Sequence, residues 1–443
     1  MTDCDLIVVG GGPAGLAHAF WSRAEQPGLR VHVLEADRRP GGWLHTTTID
    51  GYQLEHGPQG FRPDHTVDAF LDAAGLRDEV VPCAASARRR FIVKRGSLHE
   101  LPAQPGAVLR SRMLSTISKA RLVLEPFIRS RSEDDESVAG FVRRRFGRAT
   151  VPVAEAMMHG IFGGDAHELE VAAALPGATE MERAHGSLLR GMRARAKTRR
   201  QNGEVMRPQV CTFAQGMQRG VTALSDRLSD AVTTGARVHE VIRAGDDYLV
   251  RGDHLELRAP NVCVTTPPQQ AAHILRTLDS ELSDRLAEIP AVSVVSCYVG
   301  FDRAAVPPDV DGFGFLAPSG ELGSVLGAIY TSSVFPHQAP PGRALFRVMS
   351  GGHAYPHELE RTDEDLLKQA AEVLRDLLGI SQPPSFAYVS RARAAIPQYV
   401  RGHSARMRAL AKQLTRHQGL TLRGAGYRKI SIVGQWAPQG SAP

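Results

Sequence analysis

A strand that breaks into glycine opens this chain. Leu6-Ile7-Val8-Val9 is wholly apolar and runs directly into Gly10-Gly11-Gly12-Pro13-Ala14-Gly15, after which a helical pattern continues to about Ala24. A second apolar stretch, Leu29 to Leu34, ends on Glu35. Strand, G-x-G-x-x-G turn, helix, strand and acid in this order form a βαβ unit of dinucleotide-binding type. Gly10 permits the tight turn, Gly12 lets a pyrophosphate approach the backbone, and Gly15 lets the helix lie close to the strand. The helix start, with Gly11, Pro13 and Ala14 around it, aims N–H donors and positive potential at the phosphates. Glu35, followed by Ala36, stands where the hydroxyls of a ribose need an acceptor.

The 443 residues suffice for two or three packed units. Lys and Arg number 53 against 47 Asp and Glu, a net charge of +6. The excess is local, in Arg88–Arg90, residues 110–131, Arg143–Arg145 and residues 190–200. Aromatic residues are scarce in these stretches and no nucleic-acid-binding signature accompanies them, so no nucleic acid is expected as partner. An anionic membrane surface or a carboxylate-bearing substrate complements such charge. Cys4, Cys83, Cys211, Cys263 and Cys297 are odd in number and lack metal-ligand spacing, so free thiols in a reducing compartment, and no metal, are expected. The chain enters its first strand at once and has no apolar run near 18 residues. A cytoplasmic protein without a leader is expected, with peripheral contact to the inner face of the cell membrane. No Ser/His/Asp triad or carboxylate dyad stands out, so no side chain is singled out as the catalytic group.

Further along, a helix is expected over 65–75, a hairpin over 91–101, helices over 137–146 and 217–231, and short strands at 237–241, 248–251 and 254–258. A buried strand, Asn261 to Thr265, stops at Pro267-Pro268. Strands at 291–301, 325–331 and 343–349 precede a helix capped by Thr362 and stopped at Gly379. Residues 109–128 read as a basic amphipathic helix broken near Pro126, suited to a membrane interface. The expected fold is α/β. A Rossmann-like nucleotide domain (1–75, 210–266 and 385–443) is interleaved with a sheet-plus-helix substrate domain (76–108 and 267–384), and 109–209 form a helical, basic, membrane-associated region.

A second glycine pair directly after the acid, Gly41-Gly42-Trp43, followed by Gly57-Pro58-Gln59-Gly60, is similar to the FAD-binding sequences of flavin amine oxidases. Within that group the chain resembles the oxygen-dependent protoporphyrinogen oxidases over nearly its whole length. The resemblance lies in Gly160-Ile161-Phe162-Gly163-Gly164-Asp165, Glu182 to Gly191, Gly312 to Pro318, Leu326 to Tyr330 and Ile396-Pro397-Gln398-Tyr399-x-x-Gly402-His403. It implies FAD as cofactor and oxidation of protoporphyrinogen IX to protoporphyrin IX in three two-electron steps, with oxygen as acceptor and hydrogen peroxide as product. It further implies that the product passes to a ferrochelatase. In this likeness Phe313, Leu316 and Met349 line an apolar slot and Gly160 approaches the macrocycle through its backbone. Arg90 faces a propionate, Gln59 reaches flavin or substrate, and Val238 contacts adenine. Coproporphyrinogen III, another amine or polyene, or a weakly active porphyrin-binding role remain as alternatives. Extra cations lining the site favour the four-carboxylate substrate, and Arg90 and Arg62 alone do not decide between the two.

The tail departs from the likeness. Gly424-Ala425-Gly426-Tyr427-Arg428 starts the family's last flavin-contacting motif, but Lys429 fills its glycine position, Ile430 and Ser431 follow, and no closing helix is expected. Loss of helix N–H donors from the flavin's pyrimidine end implies weakened FAD retention.

Overall fold

The computed structural model describes residues 2–102, 115–128, 135–202 and 210–438. Its first unit is a parallel five-stranded sheet in the order Leu420–Leu422, Asn261–Val264, Leu6–Val9, Val31–Glu35, Val232–Thr234. Period-two alternation explains why the N-terminal strand is apolar throughout. Leu6 and Val8 join one core with Leu16, Val31, Val33 and Phe70, whereas Ile7 and Val9 join another with Leu34, Val262, Val264 and Leu275. A sheet covered on both faces leaves no position for a polar residue. The three short strands expected here, Val238–Ala244, Asp247–Gly252 and Leu255–Ala259, pair antiparallel as a meander.

The second unit is a seven-stranded sheet: Phe386–Pro397, Ala291–Asp302, Arg343–Gly351, Val325–Ile329, Gly314–Leu316, Arg90–Lys94, Ser97–Glu100. Strand Phe386–Pro397 pairs from Ala291 to Gly300 and so belongs here, which corrects its assignment to the nucleotide domain. Helix Asp363–Leu378 covers one face, where Val295, Cys297, Val299, Phe346 and Val348 meet Leu366, Ala370 and Leu374. On the opposite face Ser296, Tyr298 and Arg347 meet.

The expected helix over 109–128 falls partly outside the described residues, at 109–114. Its described part is helix Thr116–Val123, ended by a single tight turn, Glu125–Phe127, at Pro126. In the Arg143–Arg145 run Arg143 is exposed, but the other two are paired inside the protein. Arg144 pairs with Glu136 and Glu182, and Arg145, fully buried, pairs with Glu125 and Glu182. Among the described residues no helix is long and apolar enough to cross a membrane, and no cluster of metal-ligating side chains occurs.

Candidate active site

A cleft of about 830 Å³ opens at the C-terminal edge of the parallel sheet, a size within the range of cofactor sites. Gly10, Gly12, Pro13, Ala14, Glu35, Ala36, Gly42, Trp43 and Val238 line it. Gly11, Gly15 and Gly41 stand behind this surface. The Gly11 amide donates to Glu35 Oε2 at 2.7 Å and the Asp37 amide to Oε1 at 2.9 Å, which fixes the carboxylate's orientation. The Gly41 amide donates to the Gly11 carbonyl at 2.7 Å, tying the second glycine pair to the first.

The glycines show for what the cleft is shaped. A Cβ on Gly15 would collide with the Gly10 carbonyl, so Gly15 serves the protein's own packing. A Cβ on Gly12 would meet nothing within 4 Å, and Gly12's φ of −72° suits any residue. No protein atom requires its bareness, and the space it leaves faces the cleft. Helix Pro13–Glu25 has no side-chain cap and no acidic residue in its first turn, leaving its leading N–H groups for a phosphate. These residues fit a dinucleotide's pyrophosphate and ribose. Thr265, unmarked in the sequence reading, donates to the carbonyls of Val9 and Gly10 and holds the turn. Its signal was its place at the end of a buried strand, on the ligand-binding edge of such sheets.

Beyond Trp43 the wall continues through His45, His56 and Ser390. The two imidazoles stack at 4.5 Å. His56 lies 2.9 Å from Ser390 Oγ and 3.0 Å from Thr47 Oγ1. Burial, then His45 and the Arg347 charge, pushes its pKa down to about 4, so the ring is neutral at ordinary pH. The loop after it does not line the cleft. Gly57 abuts the Trp43 carbonyl and Gly60 the Cys211 carbonyl, while Pro58 is exposed. Gln59 is buried, donating to Gln338 at 2.6 Å and accepting from Arg347 at 3.4 Å.

Strand register assembles the residues assigned to a substrate. Leu316 stands beside Ile92 and Gly327, and Gly327 beside Met349; Arg90 stands beside Gly314. The Arg90 guanidinium lies over the Phe313 ring, 4.6 Å from its centroid. A Cβ on Gly160 would touch the Leu316 side chain at 2.8 Å, so the helix Val151–Phe162 packs onto this part of the sheet. None of Arg90, Gly160, Phe313, Leu316 and Met349 lines the nucleotide cleft. Burial and the neighbouring Arg62 lower the pKa of Arg90, which places two cations near each other.

The tail differs from expectation. Residues Ile432–Trp436 form a short helix with Ser431 as its cap. Trp436 is buried and stacks on Phe70 at 4.5 Å, and its carbonyl accepts from the Trp21 indole at 2.9 Å. Lys429 is exposed, Ile430 packs on the helical core with Tyr399, and the Ser431 hydroxyl is used by the Gly434 amide. None of these three residues lines the cleft; from this segment Gln435 does. The physical reason is an aromatic anchor: burying Trp436 among Phe61, Phe70 and Phe213 closes the tail as a helix.

Fold and cleft define an FAD-binding oxidoreductase, and the family model for flavin containing amine oxidoreductases matches residues 22–427. The chain belongs to that family, and it is an enzyme with FAD as its cofactor. It is 28% identical to the coproporphyrinogen III oxidase of Bacillus subtilis (strain 168), with 96% of this chain and 94% of the relative covered. It is 30% identical to the protoporphyrinogen oxidase of Homo sapiens, covering 96% and 95%. The crystal structure of an Exiguobacterium sp. 255-15 protein superposes with a TM-score of 0.83 at 24% identity, covering 99% of this chain and 97% of that one.

Proposed function

We propose that the protein oxidises a porphyrinogen to the porphyrin, with protoporphyrinogen IX as substrate and molecular oxygen as final acceptor. The observation that carries this reading is the Arg90–Phe313 pair on the sheet face shared with Leu316 and Met349. A flat apolar macrocycle edged with carboxylates calls for apolar plates beside a guanidinium fork. Bound FAD supplies the two-electron acceptor. The chain's own part is to hold carboxylates at Arg90, cover the rings with Phe313, Leu316 and Met349, and keep water from the reacting carbon.

Coproporphyrinogen III is the second reading. It is favoured by the Bacillus relative's name and by Arg62 beside Arg90, since four carboxylates need more cations. Anaerobic mixing of the purified protein with each porphyrinogen, followed by porphyrin fluorescence on admitting air, tests both. The expected result is faster porphyrin formation from protoporphyrinogen IX than from coproporphyrinogen III, with Arg90→Leu raising KM at least roughly tenfold, the effect of losing a charged hydrogen bond. Rates equal to the enzyme-free control for both compounds sink the proposal.

The membrane contact is also a proposal. Ile117 and Phe127 are 84% and 73% exposed, Val123 and Leu124 are exposed beside them, and Lys119 and Arg121 lie in the same segment. Apolar side chains interleaved with cations suit the surface of an anionic bilayer.

A further inference from the structure

Strand Arg343–Gly351 holds a cation where folding alone gives it no counter-charge. Arg347 is 5% exposed. Its Nε donates to Ser296 Oγ at 3.0 Å, and its Nη1 donates to the Gly57 carbonyl at 2.8 Å and to Gln59 Oε1 at 3.4 Å. The Tyr298 ring flanks it at 5.6 Å. All these partners are neutral, and among the described residues no carboxylate forms an ion pair with it. The Glu55 carboxylate is close enough to feel the charge, but its oxygens accept from the Met217 amide and the Thr46 hydroxyl. Burial pushes the Glu55 pKa up to about 7, so near neutral pH it offers only part of a negative charge.

A desolvated guanidinium among neutral groups is costly to the fold, and a ligand that brings negative charge near it offsets that cost. The register says which ligand. Arg347 pairs with Ile329, Ile329 with Gly314 and Gly314 with Arg90, three strand spacings of about 4.8 Å each. Arg347 is thus far from the carboxylate position at Arg90. It lies instead behind the loop that starts at His56, on the cofactor cleft's wall, and whose Gly57 abuts Trp43 on the same wall.

We propose that Arg347 is a positioning residue for the flavin, whose buried positive charge, carried behind the His56–Gln59 loop, favours the reduced anionic form of bound FAD over the oxidised form. Its fork also holds the Gly57 carbonyl, so the loop keeps one shape in both redox states. The inference needs FAD only and is independent of which porphyrinogen is oxidised.

Reductive titration of the FAD-loaded protein against a reference dye, with no substrate present, tests it. Arg347→Gln should shift the balance toward oxidised FAD at least tenfold, about 30 mV in a two-electron couple, while Arg347→Lys stays within threefold of wild type. Gln59→Glu is the companion variant if the neutral replacement does not fold. It places a carboxylate beside Arg347, and the buried amide nitrogen of Gln338, which has no partner among the described residues, can turn to donate to it. That variant should be at least as stable as wild type yet show the same tenfold shift. A purely structural role for Arg347 would lower melting temperature and leave the potential unmoved. That outcome, or a raised KM for a porphyrinogen at unchanged potential, overturns the proposal.

Discussion

Gly12 and Gly15 stand three residues apart in one motif yet do opposite work. Gly15→Ala drives a methyl into the Gly10 carbonyl, and the expected cost is about 1–3 kcal/mol of folding stability with or without cofactor. Gly12→Ala meets only open space, so the FAD-free protein should melt as wild type does, while the FAD dissociation constant rises at least roughly tenfold. Calorimetric melting of both apoproteins together with flavin fluorescence titration separates the two roles. Glu55 allows a second prediction. Its folded pKa, about 7, lies above the usual 4.5 because burial disfavours the charged form. The folded state therefore binds the extra proton, and Glu55's contribution is intact below pH 4.5 and lost as pH rises to about 7. Glu55→Gln should gain about 3 kcal/mol on wild type between those limits, read as the difference of two urea midpoints at each pH. A constant difference would contradict the burial argument. At this scale the glycines and Glu35 were legible in the sequence, because turn geometry and close approach act over neighbouring residues. Arg347 was not, since a lone arginine in an apolar strand carries no sign of what lies across the sheet.

Elements with strong local signals appear where the sequence placed them. Helix Val138–Phe146 starts at its Ser137 cap, and helix Asp363–Leu378 runs from the Thr362 cap to Gly379 in the left-handed conformation. The tail is the counterexample. Five residues make a poor helix by propensity, and only the pocket of Phe61, Phe70 and Phe213 around Trp436 stabilises it. Helix Thr116–Val123 poses the reverse case, for none of its side chains is buried. Replacing Ile117 and Phe127 by Asp should therefore leave the melting temperature within about 2 °C of wild type. The same double variant should lose sedimentation with anionic vesicles, whose capture of the wild-type protein should weaken as salt is raised. Wild-type protein that stays in the supernatant at low salt would refute the membrane proposal.

Among the described residues the two largest sheets are one parallel and one mostly antiparallel, and the hairpin Thr46–Ile49 and Tyr52–Glu55 with its following loop reaches the second of them. Tyr298 donates to the Glu55 carbonyl at 2.5 Å and Arg347 to the Gly57 carbonyl at 2.8 Å, so the second sheet holds the loop beside the cleft. Filling the cleft should stabilise the molecule as a unit. FAD at a hundred times its dissociation constant should add about 2.7 kcal/mol and raise the melting temperature progressively with concentration. An unmoved melt would mean that the nucleotide is not held by the folded state. From its residues alone the chain determined a βαβ nucleotide fold, its glycine turn and the acid that ends the second strand, because each depends on contacts made within about thirty residues. Only the tertiary structure decided that Arg347 is buried without an anion, that Arg90 meets Phe313, and that the tail closes as a helix. Those facts arise from register and packing between segments far apart in the chain, where a side chain's surroundings are set by strands it does not belong to.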